Sequence, residues 1–354
     1  MHSTPTPSAS VATSAPAWQR EWQASFRHPR ELLEFLELDA RETPYPLDLN
    51  PRFPFRVPRN YAARMRKGDW EDPLLRQVLP LSAEGEKRAG YTEDAVGDGD
   101  AKAGPGLLRK YHGRALLMLT GMCAVHCRYC FRREFPYEDL PAARSEWERT
   151  YALLAADPDL REVLFSGGDP LSLSDANLRW HWERALALPQ VKRVRIHTRV
   201  PVVLPRRVDA NFLELTREMA DRKPLFLVLH VNHAGEIHAE LEERLRALRT
   251  AGAFLLNQAL LLRGVNDTPL ALTELSEKLL GAGVLPYYLH QLDRVRGAGH
   301  FEVTEEEGLA LMEALRGRLP GYAVPRYVRE VAGEASKLEV SALIPDSRLV
   351  RFVD

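Results

Sequence analysis

The chain is predicted to be an α/β protein, a partial (βα)6 barrel, and three observations carry that reading. From Ala115 onward, short apolar runs of strand character alternate with helix-like segments. Polar residues recur at the carboxyl end of each run, and helix-capping residues punctuate the segments between them. Six such units imply a parallel sheet with right-handed crossovers. Polar strand ends favour a partial barrel over a flat, doubly wound sheet.

In chain order, residues 1–17 are expected to be a disordered tail, because the stretch rich in Ser, Thr, Pro and Ala has no hydrophobic periodicity. Residues 18–106 read as a helical and extended region. Trp18 to Leu38 has a helical pattern, clearest in Glu31-Leu-Leu-Glu-Phe-Leu-Glu-Leu38. Pro44, Pro46, Pro51, Pro54 and Pro58 mark an extended connection, and the glycines of 92–106 mark a loop. Residues 107–300 hold the predicted strands Ala115–Thr120, Glu162–Ser166, Val191–Thr198, Leu225–His230, Ala253–Leu261 and Leu285–His290. Ser145 and Ser174 read as N-caps, and Thr268-Pro269 places proline at a first helical position. Gly252 and Gly281 sit where left-handed C-terminal glycines belong. Leu272, Leu275 and Leu279 give one helix an apolar face. In residues 301–354, Thr304 and Glu307 form a capping box for a helix through Leu315, and a C-terminal segment follows. No repeat at solenoid period is visible.

With 354 residues the chain can bury a substantial core. Its formal net charge of −1 provides no field that would draw it to nucleic acid or membrane. It lacks an apolar run of about 18 residues or more, so no transmembrane helix is expected. The start, Met1-His-Ser-Thr-Pro-Thr-Pro-Ser8, lacks the pattern of a signal peptide. Clustered, unpaired thiols suit a reducing compartment, and a cytoplasmic location is expected.

All the cysteines fall in one short string, Gly121-Met-Cys-Ala-Val-His-Cys-Arg-Tyr-Cys-Phe-Arg-Arg133. An odd count at short spacing argues against disulfides. Structural zinc takes four ligands, typically in two pairs; His126 could be the fourth, but no separated second pair exists. A cubane iron–sulfur cluster needs a ligand on each of four irons, so three cysteines leave one iron open to a substrate. This motif follows the first predicted strand. The later strands end in Ser166-Gly-Gly-Asp-Pro170, His197-Thr-Arg199, His230-Val-Asn-His233, Asn257-Gln258 and His290-Gln-Leu-Asp293. Their recurrence at one end points to a shared pocket.

The cysteine spacing followed by Gly-Gly-Asp resembles the radical S-adenosylmethionine (SAM) superfamily. Longer strings are more specific: Cys127-Arg-Tyr-Cys-Phe-Arg-Arg133, Phe165-Ser-Gly-Gly-Asp-Pro-Leu171, Asn257-Gln-Ala-Leu-Leu-Leu-Arg-Gly-Val-Asn-Asp267 and Gly299-His-Phe301. Together they resemble the lysine 2,3-aminomutase family across roughly Tyr61 to Lys337. The shorter length and Asp72-Pro-Leu-Leu-Arg-Gln-Val78 are similar to the branch serving β-lysylation of elongation factor P. The resemblance implies a TIM-like radical SAM barrel, a C-terminal segment carrying pyridoxal phosphate (PLP), and conversion of L-α-lysine to β-lysine.

The same resemblance implies the residue roles. Cys123, Cys127 and Cys130 would ligate a [4Fe-4S] cluster whose open iron chelates SAM. Ser166, Gly167, Gly168 and Asp169 would receive the methionine end of SAM, with His230 and Gln258 towards its nucleoside. Ala332-Gly-Glu-Ala-Ser-Lys337 aligns with the glycine-rich segment whose lysine carries PLP, although only Gly333 remains of its glycines. Lys110, Tyr111 and Arg114 match positions around PLP and its phosphate; Lys110 stands where arginine is usual. Arg132 corresponds to the clamp on the substrate carboxylate, a task suited to its planar fork. Asp293 and Glu330 would hold the distal ammonium of lysine, Glu330 standing where the lysine enzymes carry a second Asp. Flavodoxin or ferredoxin would supply electrons. The extra cysteines that bind zinc in longer relatives are missing, so no structural zinc is expected. Two competing readings are a 2,3-aminomutase for another amino acid such as arginine, and a non-catalytic metal-binding protein.

Overall fold

One mixed sheet of ten strands, laid down in the order of the chain, organises the computed structural model, which describes residues 15–341. The expected disordered tail lies almost wholly outside the described residues; a helix already starts at Ala17. Strands β1 (Lys102–Gly104) and β2 (Leu107–Leu108) lead antiparallel into β3 (Arg114–Met118). Next come β4 (Glu162–Ser166), β5 (Arg193–Thr198), β6 (Leu225–Leu229), β7 (Phe254–Leu260), β8 (Leu285–His290) and β9 (Arg326–Arg329). From β3 to β9 every pairing is parallel, and β10 (Leu338–Glu339) closes the order antiparallel to β9.

Helices Arg144–Ala155, Asp175–Ala187, Ala210–Ala220, Ala239–Thr250, Pro269–Gly281 and Glu305–Arg316 connect successive parallel strands. The six strand–helix units expected from the sequence are therefore present, followed by a seventh parallel strand that the pattern did not reveal. That strand, Arg326-Tyr-Val-Arg329, has an arginine at each end and only two fully buried residues, so it lacks an apolar run.

Alternation along each strand separates two faces. Ala115, Leu117, Val163, Phe165, Val194 and Ile196 turn towards the helices and are buried. Arg114, Leu116, Leu164, Ser166, Arg195 and His197 line a cavity on the other side, joined by Gln258, Tyr288 and Arg326 from β7, β8 and β9. Neighbouring strands lie about 4.8 Å apart, so a flat sheet would hold β3 and β9 roughly 29 Å apart. Side chains from both reach one cavity of about 530 Å³. The open sheet therefore curls around it.

Local rules explain most boundaries. Ser174 accepts from the Asn177 amide at 3.3 Å, and Thr268 accepts from the Ala271 amide at 3.2 Å with Pro269 following. Thr304 and Glu307 bond reciprocally. Ser145, expected as a cap, lies inside its helix; Ala143 precedes the helix, and the Glu146 carboxylate accepts from its amide at 3.2 Å. Gly252 takes the expected left-handed conformation (φ 94°), but Gly281 remains helical and Gly283 (φ 73°) makes that turn. The segment Trp18–Leu38 is two helices, Ala17–Gln23 and Pro29–Phe35, because Pro29 starts a new one with His28 as its cap. Lys102–Gly104, inside the expected loop 92–106, is strand β1.

The N-terminal region packs across the cysteine loop. The His126 amide donates to Arg56 O at 3.0 Å and the Arg128 amide to Gln77 O at 2.9 Å. The fully buried Arg128 guanidinium reaches Phe53 O, Pro54 O and the Glu84 carboxylate. Among the described residues, no helix is long and apolar enough to cross a membrane.

Candidate active site

Cys123, Cys127 and Cys130 lie in the loop after β3, are free thiols, and line the cavity. Burial pushes the Cys123 thiol well up and, aided by the neighbouring Cys127, raises Cys130 to about 11. Thiols so desolvated become good anionic ligands only when a cation compensates them. Among the described residues, no three His, Cys, Asp or Glu side chains converge as a single ion requires. A cubane takes one thiolate on each of three irons and leaves its fourth iron open, which is the ligand set that three cysteines offer.

The Ser166-Gly-Gly-Asp turn is built against this loop. A Cβ on Gly167 (φ 129°) would stand 2.4 Å from Thr120 O, and one on Gly168 would stand 2.5 Å from Met122 O. The Gly168 amide donates to Thr120 O at 2.6 Å and the Asp169 amide to Met122 O at 2.8 Å. The glycines thus make room for the backbone of the cysteine loop as well as for any ligand in the cavity they line. Asp169 directs its carboxylate into the protein, where it accepts from the Leu171, Arg199 and Val200 amides and the Thr198 hydroxyl. Burial raises it to about 6 in spite of these donors. Its side chain therefore orders the turn. His230 and Gln258 both line the cavity; His230 stacks on Tyr129 at 5.6 Å, and burial lowers its pKa to about 3.

A continuous line of charge pairs runs from the cysteine loop to Lys337. Arg132 Nε donates to Asp98 Oδ2 at 2.6 Å, while Arg132 Nη1 reaches Ser166 Oγ at 3.1 Å. Asp98 Oδ1 pairs with Lys110 Nζ at 2.7 Å, and Lys110 Nζ with Glu330 Oε1 at 3.0 Å. Glu330 in turn pairs with Lys337. Burial alone would raise Glu330, but Lys337 and Lys110 hold it down to about 2. Asp293 differs: it has no ion pair among the described residues, and burial followed by the charge of Glu330 pushes it up to about 7.

Tyr111 and Arg114 lie beside this line, the Arg114 guanidinium 4.8 Å from the centre of the Tyr111 ring. Lys110 turns to the two acids and to Val96 O, so only Arg114 of the expected phosphate-binding cations has no carboxylate on it among the described residues. The cavity thus brings every expected site residue together.

Three further residues of the site had no role assigned from the sequence, although Arg199 and His290 stood in the polar strand-end strings. Asp98 is 3% exposed and joins Lys110 to Arg132, yet Gly97-Asp98-Gly99-Asp100 reads as an ordinary turn. His290 is buried in the cavity wall with Nε2 unpartnered among the described residues, and burial followed by Lys337 lowers it to about 3. Arg199 is buried against Cys127; its place at the end of β5 was a visible signal, but its partner was not.

No family model matches the chain. The L-lysine 2,3-aminomutase of Escherichia coli (strain K12) is 44% identical over 310 residues, spanning 87% of this chain and 90% of its own. The protein of that name from Haemophilus influenzae is 38% identical over 320 residues, 90% of this chain and 94% of its own. That of Clostridium subterminale is 36% identical over 283 residues, 79% of this chain and 67% of its own. A solved radical SAM methyltransferase from Sphaerobacter thermophilus overlaps 66% of this chain and 73% of its own at TM-score 0.43 and 18% identity, too loose a match to argue from.

Proposed function

The chain belongs to the lysine 2,3-aminomutase family of radical SAM isomerases, and from that premise we propose that it converts L-α-lysine to β-lysine using a [4Fe-4S] cluster, SAM and PLP. One observation carries the reading: the line Arg132–Asp98–Lys110–Glu330–Lys337 shares a cavity with the three thiols. Cluster and SAM would supply a one-electron route to hydrogen abstraction, and PLP would supply a conjugated group able to delocalise an unpaired electron while nitrogen migrates.

The protein's task is to hold lysine between these groups. Asp98 takes the Nε side of Arg132 and Ser166 takes one Nη, which fixes the plane of a fork suited to the substrate carboxylate. At the other end, Asp293 and Glu330 form an acidic pair for the distal ammonium. A neutral side chain would leave Asp293 without a partner, and an acidic one would be repelled. Lys337 is the amine that would carry PLP, with Tyr111 and Arg114 near its phosphate. The enclosing sheet limits water around reactive species.

β-Lysine made here would serve the modification of elongation factor P, a reading supported by the chain's length and its Asp72–Val78 string. The test is anaerobic reconstitution with iron, sulfide and PLP, followed by reductant, SAM and lysine. Cluster and PLP absorbance with β-lysine formation is expected. Lys337→Ala should lose the PLP band and the activity; retention of both would remove Lys337 from its role.

A further inference from the structure

Arg199 directs one nitrogen at a cysteine sulfur, and we infer that its guanidinium tunes the reduction potential of the cluster by donating to Cys127. This inference rests on the cluster reading of the three thiols. Arg199 follows β5, is 6% exposed, and places Nη1 2.6 Å from Cys127 Sγ. The same nitrogen bonds the Tyr129 hydroxyl. Nη2 donates to Gln77 Oε1 at 2.7 Å, Glu236 Oε2 at 2.8 Å and the Tyr61 hydroxyl at 3.2 Å. Its backbone amide is held by Asp169 at 2.6 Å.

A purely structural ion pair would be complete with Glu236. That carboxylate is fully buried and anchored by the Asn232 and His233 amides at 2.9 and 3.0 Å, so it already balances the cation. The second nitrogen on sulfur goes beyond that balance. Arginine keeps its proton throughout the accessible range. Adding one electron to a cluster increases negative charge on its sulfurs, so a fixed donor at one sulfur favours the reduced form. Hydrogen bonds to the sulfurs and net charge are recognised levers on cluster potential. Arg199 is a positioning residue in this scheme, acting on the cluster through Cys127.

The test uses the full-length protein, reconstituted anaerobically and assayed for iron and sulfide. Its potential is then titrated electrochemically without SAM, with the reduced cluster followed by electron paramagnetic resonance. Arg199→Gln should be harder to reduce by about tenfold or more, which is about 59 mV more negative for one electron. Arg199→Lys, which keeps the charge but not the fork, should recover part of the loss. Glu236→Gln removes the opposing charge at constant shape and should shift the potential upward. A loaded Arg199→Gln protein with the wild-type potential overturns the inference. If that variant takes up no cluster, Glu236→Gln decides: an upward shift supports the inference, and an unmoved or lowered potential overturns it. Wild-type protein without a cluster defeats the proposed function too, whereas loaded variants with unmoved potentials leave that function standing.

Discussion

At the scale of single residues, charge is the dominant currency of this site. Asp293 is held near pKa 7 by burial and by Glu330, so it loses its charge as pH falls through neutrality. Only the ionised form attracts the distal ammonium of lysine. We therefore expect kcat/KM for lysine to rise through about pH 7, and Asp293→Asn to abolish that limb while lowering the plateau. A pH profile unchanged in the variant would assign the limb elsewhere. Asp98 is the second lever, because it fixes Arg132 and Lys110 together. Removing one member of a buried charge pair costs about 3–5 kcal/mol. Asp98→Ala should accordingly raise KM for lysine by more than about tenfold, and steady-state kinetics will read it. The cysteines and Arg132 stand in one distinctive string, whereas Asp293 and Lys337 were named only through the family resemblance. Asp98 was invisible as a functional group and Arg199 was legible only as a polar strand end, because their partners lie far along the chain, which no local pattern encodes.

At the scale of elements, the cysteine loop and the glycine turn are one unit, since amides of the turn donate to carbonyls of the loop. Gly167→Ala forces a side chain into a left-handed backbone and against Thr120 O. The dihedral strain alone costs about 1–3 kcal/mol. Lower stability in guanidinium titrations and reduced iron uptake are both expected; full iron uptake would show that the turn and loop are not coupled. The six long strands were legible because they are short apolar runs, such as Leu225-Phe-Leu-Val-Leu229, set between helix-like segments. β9 and β10 were not, because short strands with charged ends carry no period that separates them from a loop. Caps were read wrongly where two neighbours could compete: Glu146 reached back to Ala143 and left Ser145 without that task.

At the scale of the molecule, the cysteine loop depends on chain that precedes the sheet. His126, Arg128 and Arg133 are held by Arg56, Gln77, Phe53, Pro54 and Glu84. A fragment of residues 107–341 keeps every expected site residue but loses these supports. It is expected to hold far less iron per chain than the full-length protein after identical reconstitution, measured by iron assay and visible absorbance. Equal iron content would mean that the loop is self-sufficient. The sheet's order has one more consequence. Because each strand joins the edge left by the one before, the cysteine loop is laid down before six further parallel strands and Lys337 after them. A chain interrupted between them would carry the three thiols without the lysine proposed to complete the site. Synthesis thus sets an order on the proposed site, with its thiols in place six strands before its lysine.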